Sequence, residues 1–132
     1  MNAFLPHGRS TAEQLSDYYL RKIAPRLEKG QPIYAAFDQD RMIGFAIFEK
    51  WEGQNYYLAE MAILPEYQRQ GIGKKLVFSI LNRDDKAEKI LLVTEKGNTS
   101  AQAFYEKIGF RRSHFRHPEY TEFMGYEFSR IE

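Results

Sequence analysis

The sequence contains no cysteine, which excludes disulfide bonds, thiolate metal ligands and a cysteine nucleophile. Any catalytic chemistry must therefore use oxygen or nitrogen groups. The chain also lacks an excess of either charge, because 19 Lys and Arg residues nearly balance 18 Asp and Glu residues. No global field draws in nucleic acid or an anionic bilayer. We therefore expect no nucleic-acid partner and no membrane partner.

Long apolar runs are missing as well. No run in the sequence approaches the roughly 18 residues needed to cross a bilayer, and the amino terminus lacks the charged-then-apolar pattern of a secretory signal. These absences predict a cytoplasmic protein. With 132 residues, of which 43% are hydrophobic, the chain is long enough for one domain, residues 1–132, that buries about two thirds of its unfolded surface.

The spacing of apolar residues predicts alternating strands and helices. From Ser10 to Glu28 the spacing is helical, with Ser10 or Thr11 as the cap. Strand-like runs and two further helical stripes follow. They predict strands at residues 33–37, 42–48, 56–64, 89–94, 110–116 and 123–129, and helices at residues 72–82 and 101–108. A mixed sheet with helices on both faces is the simplest way to bury these stripes together.

A glycine-rich loop follows the third predicted strand and reads Gln68-Arg69-Gln70-Gly71-Ile72-Gly73. Gly71 and Gly73 carry no Cβ, so a ligand can approach the backbone closely, and the first amides of the following helix point outward. This arrangement predicts a phosphate-binding loop. A nucleoside triphosphate loop is excluded, because Lys75 stands after Lys74 where that signature needs Ser or Thr.

A second motif, at residues 98–110, begins Asn98-Thr99-Ser100-Ala101-Gln102-Ala103-Phe104-Tyr105. Together the two motifs resemble the GNAT superfamily of N-acetyltransferases, whose acyl-CoA loop has the form Gln/Arg-x-x-Gly-x-Gly/Ala. The family's later helix carries Asn-x-x-Ala-x-x-Phe-Tyr, which is matched here in full. The resemblance covers roughly residues 42–128. It implies a GNAT-like acyl-CoA N-acyltransferase fold of the α/β type, in which helices flank a mixed, mostly antiparallel central sheet.

The resemblance implies that acetyl-CoA is the cosubstrate. Its acetyl group would pass directly to a primary amine of a small molecule or a protein, without a covalent enzyme intermediate. In the family a bulge near Ala62 and Ile63 splays two strands apart and frees an amide to face the thioester oxygen. The residues expected to contact the cofactor are Ala62, Ile63, Gln68, Arg69, Gln70, Gly71, Ile72, Gly73, Lys74, Asn98, Ala101, Phe104 and Tyr105.

Tyr105 takes the role of general acid if the resemblance holds, because family members use this tyrosine to protonate the thiolate leaving group. A phenol with a pKa near 10 stays protonated at neutral pH. The acceptor amine must also lose a proton, and the candidate bases are Glu60, Glu95 and His114. We carry Glu60 forward as the second catalytic candidate. His114 and His117 lack a third ligand, so we predict no metal site.

Several alternatives stay open. Tyr105 can be an ordinary core residue and Asn98 an ordinary helix cap. The chain can also be a non-catalytic acyl-CoA-binding or interaction module, or a structural subunit that binds through exposed aromatic residues such as Trp51, Tyr56 and Tyr120. A homodimer is possible, as among relatives. The family's first strand is not recognised before the opening helix, which predicts an open acceptor cleft, and acidic residues at positions 52, 60, 95 and 119 favour a cationic acceptor.

Overall fold

The computed structural model describes residues 15 and 17–130, and its strands form one six-stranded sheet. The strands are β1 (Ile33–Asp38), β2 (Arg41–Lys50), β3 (Asn55–Ile63), β4 (Lys89–Thr94), β5 (Arg111–Ser113) and β6 (Met124–Ser129). Their order across the sheet is β1-β2-β3-β4-β6-β5. Every neighbouring pair is antiparallel except β3 with β4, which is parallel. The mostly antiparallel mixed sheet that we predicted is confirmed.

Two α-helices connect these strands, α1 (Ile72–Arg83) between β3 and β4 and α2 (Thr99–Lys107) between β4 and β5. Both helices cover the same face of the sheet. The side chains buried there include Leu58, Ile63, Val77, Ile80, Leu92, Ala101 and Tyr105. No helix in the described ranges is long and apolar enough to cross a membrane.

The segment before β1 is helical but not regularly α-helical. Residues Tyr19–Ile23 form a π-helical turn and Ala24–Lys29 a 3-10 helix. Pro25 explains the change, because proline has no N–H and its ring clashes with the carbonyl four residues earlier. The first part of the predicted opening helix, including Ser10 and Thr11, lies outside the described residues, as does the region before it where a first strand was not recognised.

The other face of the sheet is covered in two parts. The N-terminal helical segment packs Leu15 and Ile23 against residues of β2. The connection between β5 and β6, residues 114–123, covers Tyr57 and Ala59 of β3 and Leu91 and Val93 of β4. The N-terminal segment and this connection therefore lie side by side on the face opposite α1 and α2.

The strand predicted at residues 110–116 is shorter in the structure, where β5 ends at Ser113. The chain then turns back across the sheet, and a Cβ added at Gly125 of β6 would lie 2.1 Å from the carbonyl oxygen of Phe115. Only glycine permits this close approach of two backbones. A bridge between His117 and Tyr120 forms the next turn.

Candidate active site

The parallel neighbours β3 and β4 separate partway along their length. Their ladder has three residue pairs and ends at Tyr57 and Leu91, although β3 continues to Ile63 and β4 to Thr94. The two strand ends therefore form a V-shaped gap, which we call the β3–β4 gap. Because α1 follows β3 and α2 follows β4, both helices begin near the open end of the gap.

A bulge in β3 occurs next to the point where the gap opens. Ile47 of β2 pairs with Glu60, whereas the adjacent Phe48 pairs with Leu58, so Ala59 is the extra residue. As a result Ala59 and Glu60 both face the side opposite α1 and α2. The bulge expected near Ala62 and Ile63 is thus located three residues earlier. Ala62 and Ile63 themselves pair regularly with β2 and form one side of the gap.

The glycine-rich loop leads into α1, and the first backbone amides of α1 make no hydrogen bond within the helix. Gly71 is the cap residue and has a φ of 83°, and Arg69 also has a positive φ, of 67°. The first intrahelical bond that includes the cap runs from Lys75 N to Gly71 O, at 3.2 Å. The amides of the three residues before Lys75 therefore precede that bond and can meet an external acceptor. A Cβ added at Gly71 would find nothing within 4 Å, so the space there is open.

Gly73 and Gln68 hold the loop and the start of α1 against neighbouring elements. A Cβ on Gly73 would lie 2.8 Å from Ile63 Cδ1 and 3.0 Å from Phe104 Cζ. The missing side chain at Gly73 therefore lets α1 pack against β3 and α2, whereas at Gly71 it leaves open space. Gln68 Nε2 donates to the carbonyl oxygen of Ile63 at 3.1 Å and closes the loop. Gln70, Arg69 and Lys74 are exposed.

The second motif begins with a helix cap. Asn98 Oδ1 accepts a hydrogen bond from Ala101 N at 3.1 Å, as an N-cap does. Ala101 is fully buried, and Phe104 is partly buried against the start of α1. The motif therefore fixes where α2 starts beside the gap.

Tyr105 is completely buried on the α1 and α2 face. Its ring packs edge-on against Phe104 and Phe110, with centroids 5.1 and 5.5 Å away. Burial, and to a smaller degree the phenol of Tyr57, raise the pKa of Tyr105. Tyr105 is thus a core residue in this structure, and its phenol stays protonated throughout the physiological pH range.

Glu60 is held by two side chains of the N-terminal helical segment. Tyr18 Oη donates to Glu60 Oε1 at 2.8 Å, and Arg26 Nη1 lies 3.8 Å from Glu60 Oε2. The same guanidinium binds Glu49 Oε2 through Nη2 at 3.0 Å. Burial and the hydrogen bond to Glu60 raise the pKa of Tyr18 to about 12. Glu60 therefore joins β3, beside the gap, to the N-terminal helical segment that covers this face of the sheet.

The two other candidate bases, Glu95 and His114, are both exposed. Glu95 follows β4 and is exposed, and its backbone carbonyl accepts from Gln102 Nε2 at 3.0 Å. His114 is exposed at the start of the β5–β6 connection. Within the described part of the chain no three metal-ligating side chains come together.

An aromatic cluster at the closed end of the gap was not recognised from the sequence. Its members are Trp51, Tyr57, Phe115, His117 and Tyr120, whose neighbouring rings lie 4.8 to 6.0 Å apart. His117 Nδ1 accepts from Glu119 N at 3.0 Å, so the neutral ring carries its proton on Nε2. The only sequence signal was the aromatic-rich stretch after Gly109, which we assigned to a strand.

The burial of three aromatic residues contradicts the expectation that Trp51, Tyr56 and Tyr120 are exposed. Trp51 and Tyr120 are half-buried, and Tyr56 is buried on the helix-covered face, where its hydroxyl donates to Asp84 Oδ2 at 2.7 Å. They therefore do not form an exposed aromatic contact surface.

A surface concavity of about 510 Å³ lies away from the β3–β4 gap. It is found where β2 ends and β3 begins, beside Lys50 and Tyr56. We place the candidate active site at the gap instead, because the glycine-rich loop, the starts of both helices and Glu60 of β3 adjoin it.

The fold and this arrangement of strands and loop define a class of acyl-CoA-dependent transferases. Residues 3–110 match the acetyltransferase (GNAT) family. Because the match covers most of the sequence, the chain belongs to this family.

Curated relatives agree with that assignment. The chain is 39% identical over 85 residues to N-alpha-acetyltransferase 30 of Schizosaccharomyces pombe, covering 60% of this chain and 57% of that protein. It is 30% identical over 76 residues to thialysine N-epsilon-acetyltransferase of Sus scrofa, covering 53% and 45%. The chain therefore spans about half the length of these relatives.

Solved structures share the fold. A Bacillus anthracis protein determined in complex with acetyl coenzyme A superposes with a TM-score of 0.66 at 25% identity, over 75% of this chain and 62% of that one. The PaiA N-acetyltransferase of Thermoplasma acidophilum, determined with coenzyme A, has a TM-score of 0.68 at 19% identity, over 92% and 81%. The second similarity concerns the fold alone. Together they confirm the predicted GNAT-like fold.

Proposed function

We propose that the protein is an acetyl-CoA-dependent N-acetyltransferase that moves the acetyl group directly to a primary amine of a small molecule or a protein. One observation carries this proposal. A helix start with outward amides and open space above Gly71 adjoins the gap between two parallel strands. An anion cradle beside an unpaired strand edge fits a ligand that joins a pyrophosphate to a peptide-like arm.

The proposed cofactor contacts divide between the loop and the strand. The amides of Ile72, Gly73 and Lys74 would hold the pyrophosphate, where the helix dipole adds roughly 0.3–1 kcal/mol of attraction. The exposed side chains of Arg69 and Lys74 would add positive charge. The amides of the arm would pair with β3 near Ala62 and Ile63. The Bacillus anthracis structure, which contains acetyl coenzyme A, supports this assignment by similarity.

The proposed chemistry uses Tyr105 and Glu60 at the gap. An amine nitrogen attacks the thioester carbon, the carbon–sulfur bond breaks, and Tyr105 gives its proton to the departing thiolate. Glu60 takes the proton that the amine loses, directly or through a water molecule. General acid and base groups each contribute about 100-fold or more. The raised pKa of Tyr105 keeps the phenol protonated until the thiolate departs and makes the resulting phenolate a strong base. The phenolate then regains a proton from solvent, and Glu60 releases to solvent the proton that it took from the amine.

The position of Glu60 bears on where the acceptor enters. Glu60 faces the side covered by Tyr18 and Arg26, opposite the face of Tyr105. We therefore propose that the amine approaches from the side of the N-terminal helical segment, and the cofactor arm from the side of the helix starts. The cytoplasmic location and the homodimer remain predictions.

A second candidate function is a non-catalytic acyl-CoA-binding module. Two observations favour it: Tyr105 has no exposed surface, and Glu60 Oε1 accepts from Tyr18 while Arg26 lies 3.8 Å from Oε2. A chain that only binds the cofactor needs the cradle and the gap but neither of these groups.

Turnover separates the two functions. We would measure release of coenzyme A from acetyl-CoA with a panel of primary amines, including peptides with a free α-amine. Tyr105→Phe should lower kcat by about 100-fold and leave the affinity for acetyl-CoA unchanged. Tyr126→Phe is the matched control, because Tyr126 is equally buried and its hydroxyl donates to Glu106, so this change also removes a buried phenol hydroxyl. Binding of acetyl-CoA without turnover of any amine would favour the module.

A further inference from the structure

The phenol of Tyr57 is a buried polar group at the closed end of the β3–β4 gap. Tyr57 is the last residue of β3 that pairs with β4, and only 2% of its surface is exposed. Among the described residues its hydroxyl has no hydrogen-bond partner. A buried hydroxyl without a partner costs free energy and in native proteins calls for an explanation.

The aromatic cluster holds the ring of Tyr57 in place. Its centroid lies 4.8 Å from that of His117, 5.1 Å from that of Trp51 and 6.0 Å from that of Phe115. These contacts come from the β5–β6 connection and from the turn after β2, so two separate parts of the chain position one ring. A side chain fixed in this way offers its hydroxyl at a defined place without further ordering.

Tyr57 and Tyr105 lie on opposite faces of the sheet. Tyr57 packs with the cluster on the side of the β5–β6 connection, and Tyr105 packs in the core under α1 and α2. The phenol of Tyr57 contributes to the raised pKa of Tyr105. Burial first, and then the nearby acidic and phenolic groups Glu49, Tyr120 and Glu119, raise the pKa of Tyr57 as well. Both phenols therefore remain hydrogen-bond donors.

We infer that Tyr57 is a further catalytic residue, whose hydroxyl donates a hydrogen bond to the carbonyl oxygen of the bound thioester. This inference rests on the proposed function. The attacking amine cannot accept this bond, because its lone pair must point at the carbonyl carbon. The sulfur is assigned to Tyr105. The carbonyl oxygen becomes negative as the amine adds, and it has two lone pairs, so it can accept from Tyr57 as well as from the freed amide expected on β3. A donor aimed at it strengthens as charge develops.

Tyr57→Phe tests this role because it removes the hydroxyl and keeps the ring. We expect kcat to fall by about 100-fold, by a similar factor for every amine, with the affinity for acetyl-CoA unchanged. The unfolding midpoint should stay the same or rise, since a hydroxyl without a partner is removed. Tyr34→Phe is the matched control. Its hydroxyl is also buried without a partner, but its ring packs against Phe48 on the face covered by α1 and α2, so kcat should not change.

An infrared measurement tests the same bond without turnover. In acetyl-CoA labelled with carbon-13 at the thioester carbonyl, a hydrogen bond from Tyr57 lowers the carbonyl stretching frequency on binding. Tyr57→Phe should reduce that shift, and Tyr34→Phe should keep it in full. Binding with the same frequency in the parent and in Tyr57→Phe would overturn the inference and leave the transferase proposal standing. Absence of acetyl-CoA binding by the parent would overturn both.

Discussion

The hydrogen bonds of Asn98, Gln68 and Glu60 show which of these site residues have a structural role. Asn98 caps α2 and Gln68 closes the glycine-rich loop, so both contribute to the shape of the site through the backbone. Glu60 combines two duties, since it anchors Tyr18 and Arg26 and is also the proposed base. A test of Glu60 as the base therefore needs a control carboxylate that also binds Arg26 but is not a proposed base.

Glu49 supplies that comparison, because it shares Arg26 with Glu60 and lies on the neighbouring strand. We expect Glu60→Gln to lower kcat/KM for amine acceptors by about 100-fold at pH 7. The loss should shrink as the pH approaches the pKa of the amine, about 10.4 for a lysine-like acceptor, because the amine is then neutral without help. Glu49→Gln should have little effect at any pH. Equal losses in both variants across a pH series of initial rates would contradict the role of Glu60 as base.

At the scale of elements, two glycines set how the chain crosses the sheet. Gly71 turns the loop into α1 with a positive φ, and Gly125 lets the β5–β6 connection lie directly on β6. The second contact matters for the site because this connection carries Phe115 and His117 of the aromatic cluster. The support of Tyr57 therefore depends on a glycine two strands away in the sheet.

Gly125→Ala tests this dependence. The new Cβ would lie 2.1 Å from the carbonyl oxygen of Phe115, and a backbone atom cannot move aside as a side-chain tip can. We expect the free energy of unfolding to fall by about 2 kcal/mol. The fluorescence of Trp51, the single tryptophan, should shift to longer wavelength as the cluster opens. Gly97→Ala, where an added Cβ meets nothing within 4 Å, is the control. An unchanged spectrum and stability in Gly125→Ala would contradict the packing described.

Sequence patterns predicted the elements whose signal is local. The stripe at residues 72–82 and the apolar run at 89–94 correspond to α1 (Ile72–Arg83) and β4 (Lys89–Thr94), because such periodic runs fix both the type of an element and its buried side. The motifs at the glycine-rich loop and at the cap of α2 were recognised for the same reason. Each occupies one short stretch of chain.

Features that depend on distant partners were either misplaced or not recognised from the sequence. The bulge at Ala59 is defined only by its register with β2, and the early end of β5 depends on the fit against Gly125. Tyr18 contacts Glu60 across 42 positions of sequence, and the ring of Tyr57 is held by residues of the β5–β6 connection. No spacing rule within one segment contains such information.

At the scale of the whole molecule, three partly or fully buried tyrosines link distant parts of the fold to carboxylates. Tyr18 donates to Glu60, Tyr56 to Asp84 and Tyr126 to Glu106, at 2.7 to 2.8 Å. In each case burial, followed by the hydrogen bond to the carboxylate, raises the pKa of the tyrosine to about 12. These bonds join the N-terminal segment to β3, β3 to the end of α1, and β6 to α2.

The raised pKa values predict loss of stability in alkali. An unfolded tyrosine loses its proton near pH 10, whereas these folded tyrosines keep theirs until about pH 12. The stabilisation is therefore complete below pH 10 and is lost as the pH rises from about 10 to 12. Denaturant unfolding at a series of pH values should show this fall, and Tyr56→Phe should make it less steep. A free energy of unfolding that stays constant from pH 9 to about pH 12 would contradict the prediction.

The central claim is that acetyl-CoA binds in the loop at the start of α1, and calorimetric titration tests it most directly. Gly71→Glu adds a side chain and a negative charge to the open space of the cradle. Gly53→Glu makes the same change in the β2–β3 turn, at a glycine that also has a positive φ and no neighbour within 4 Å of an added Cβ. We predict micromolar binding to the parent and to Gly53→Glu and its loss in Gly71→Glu. No binding to the parent, or equal binding to all three proteins, would contradict the account.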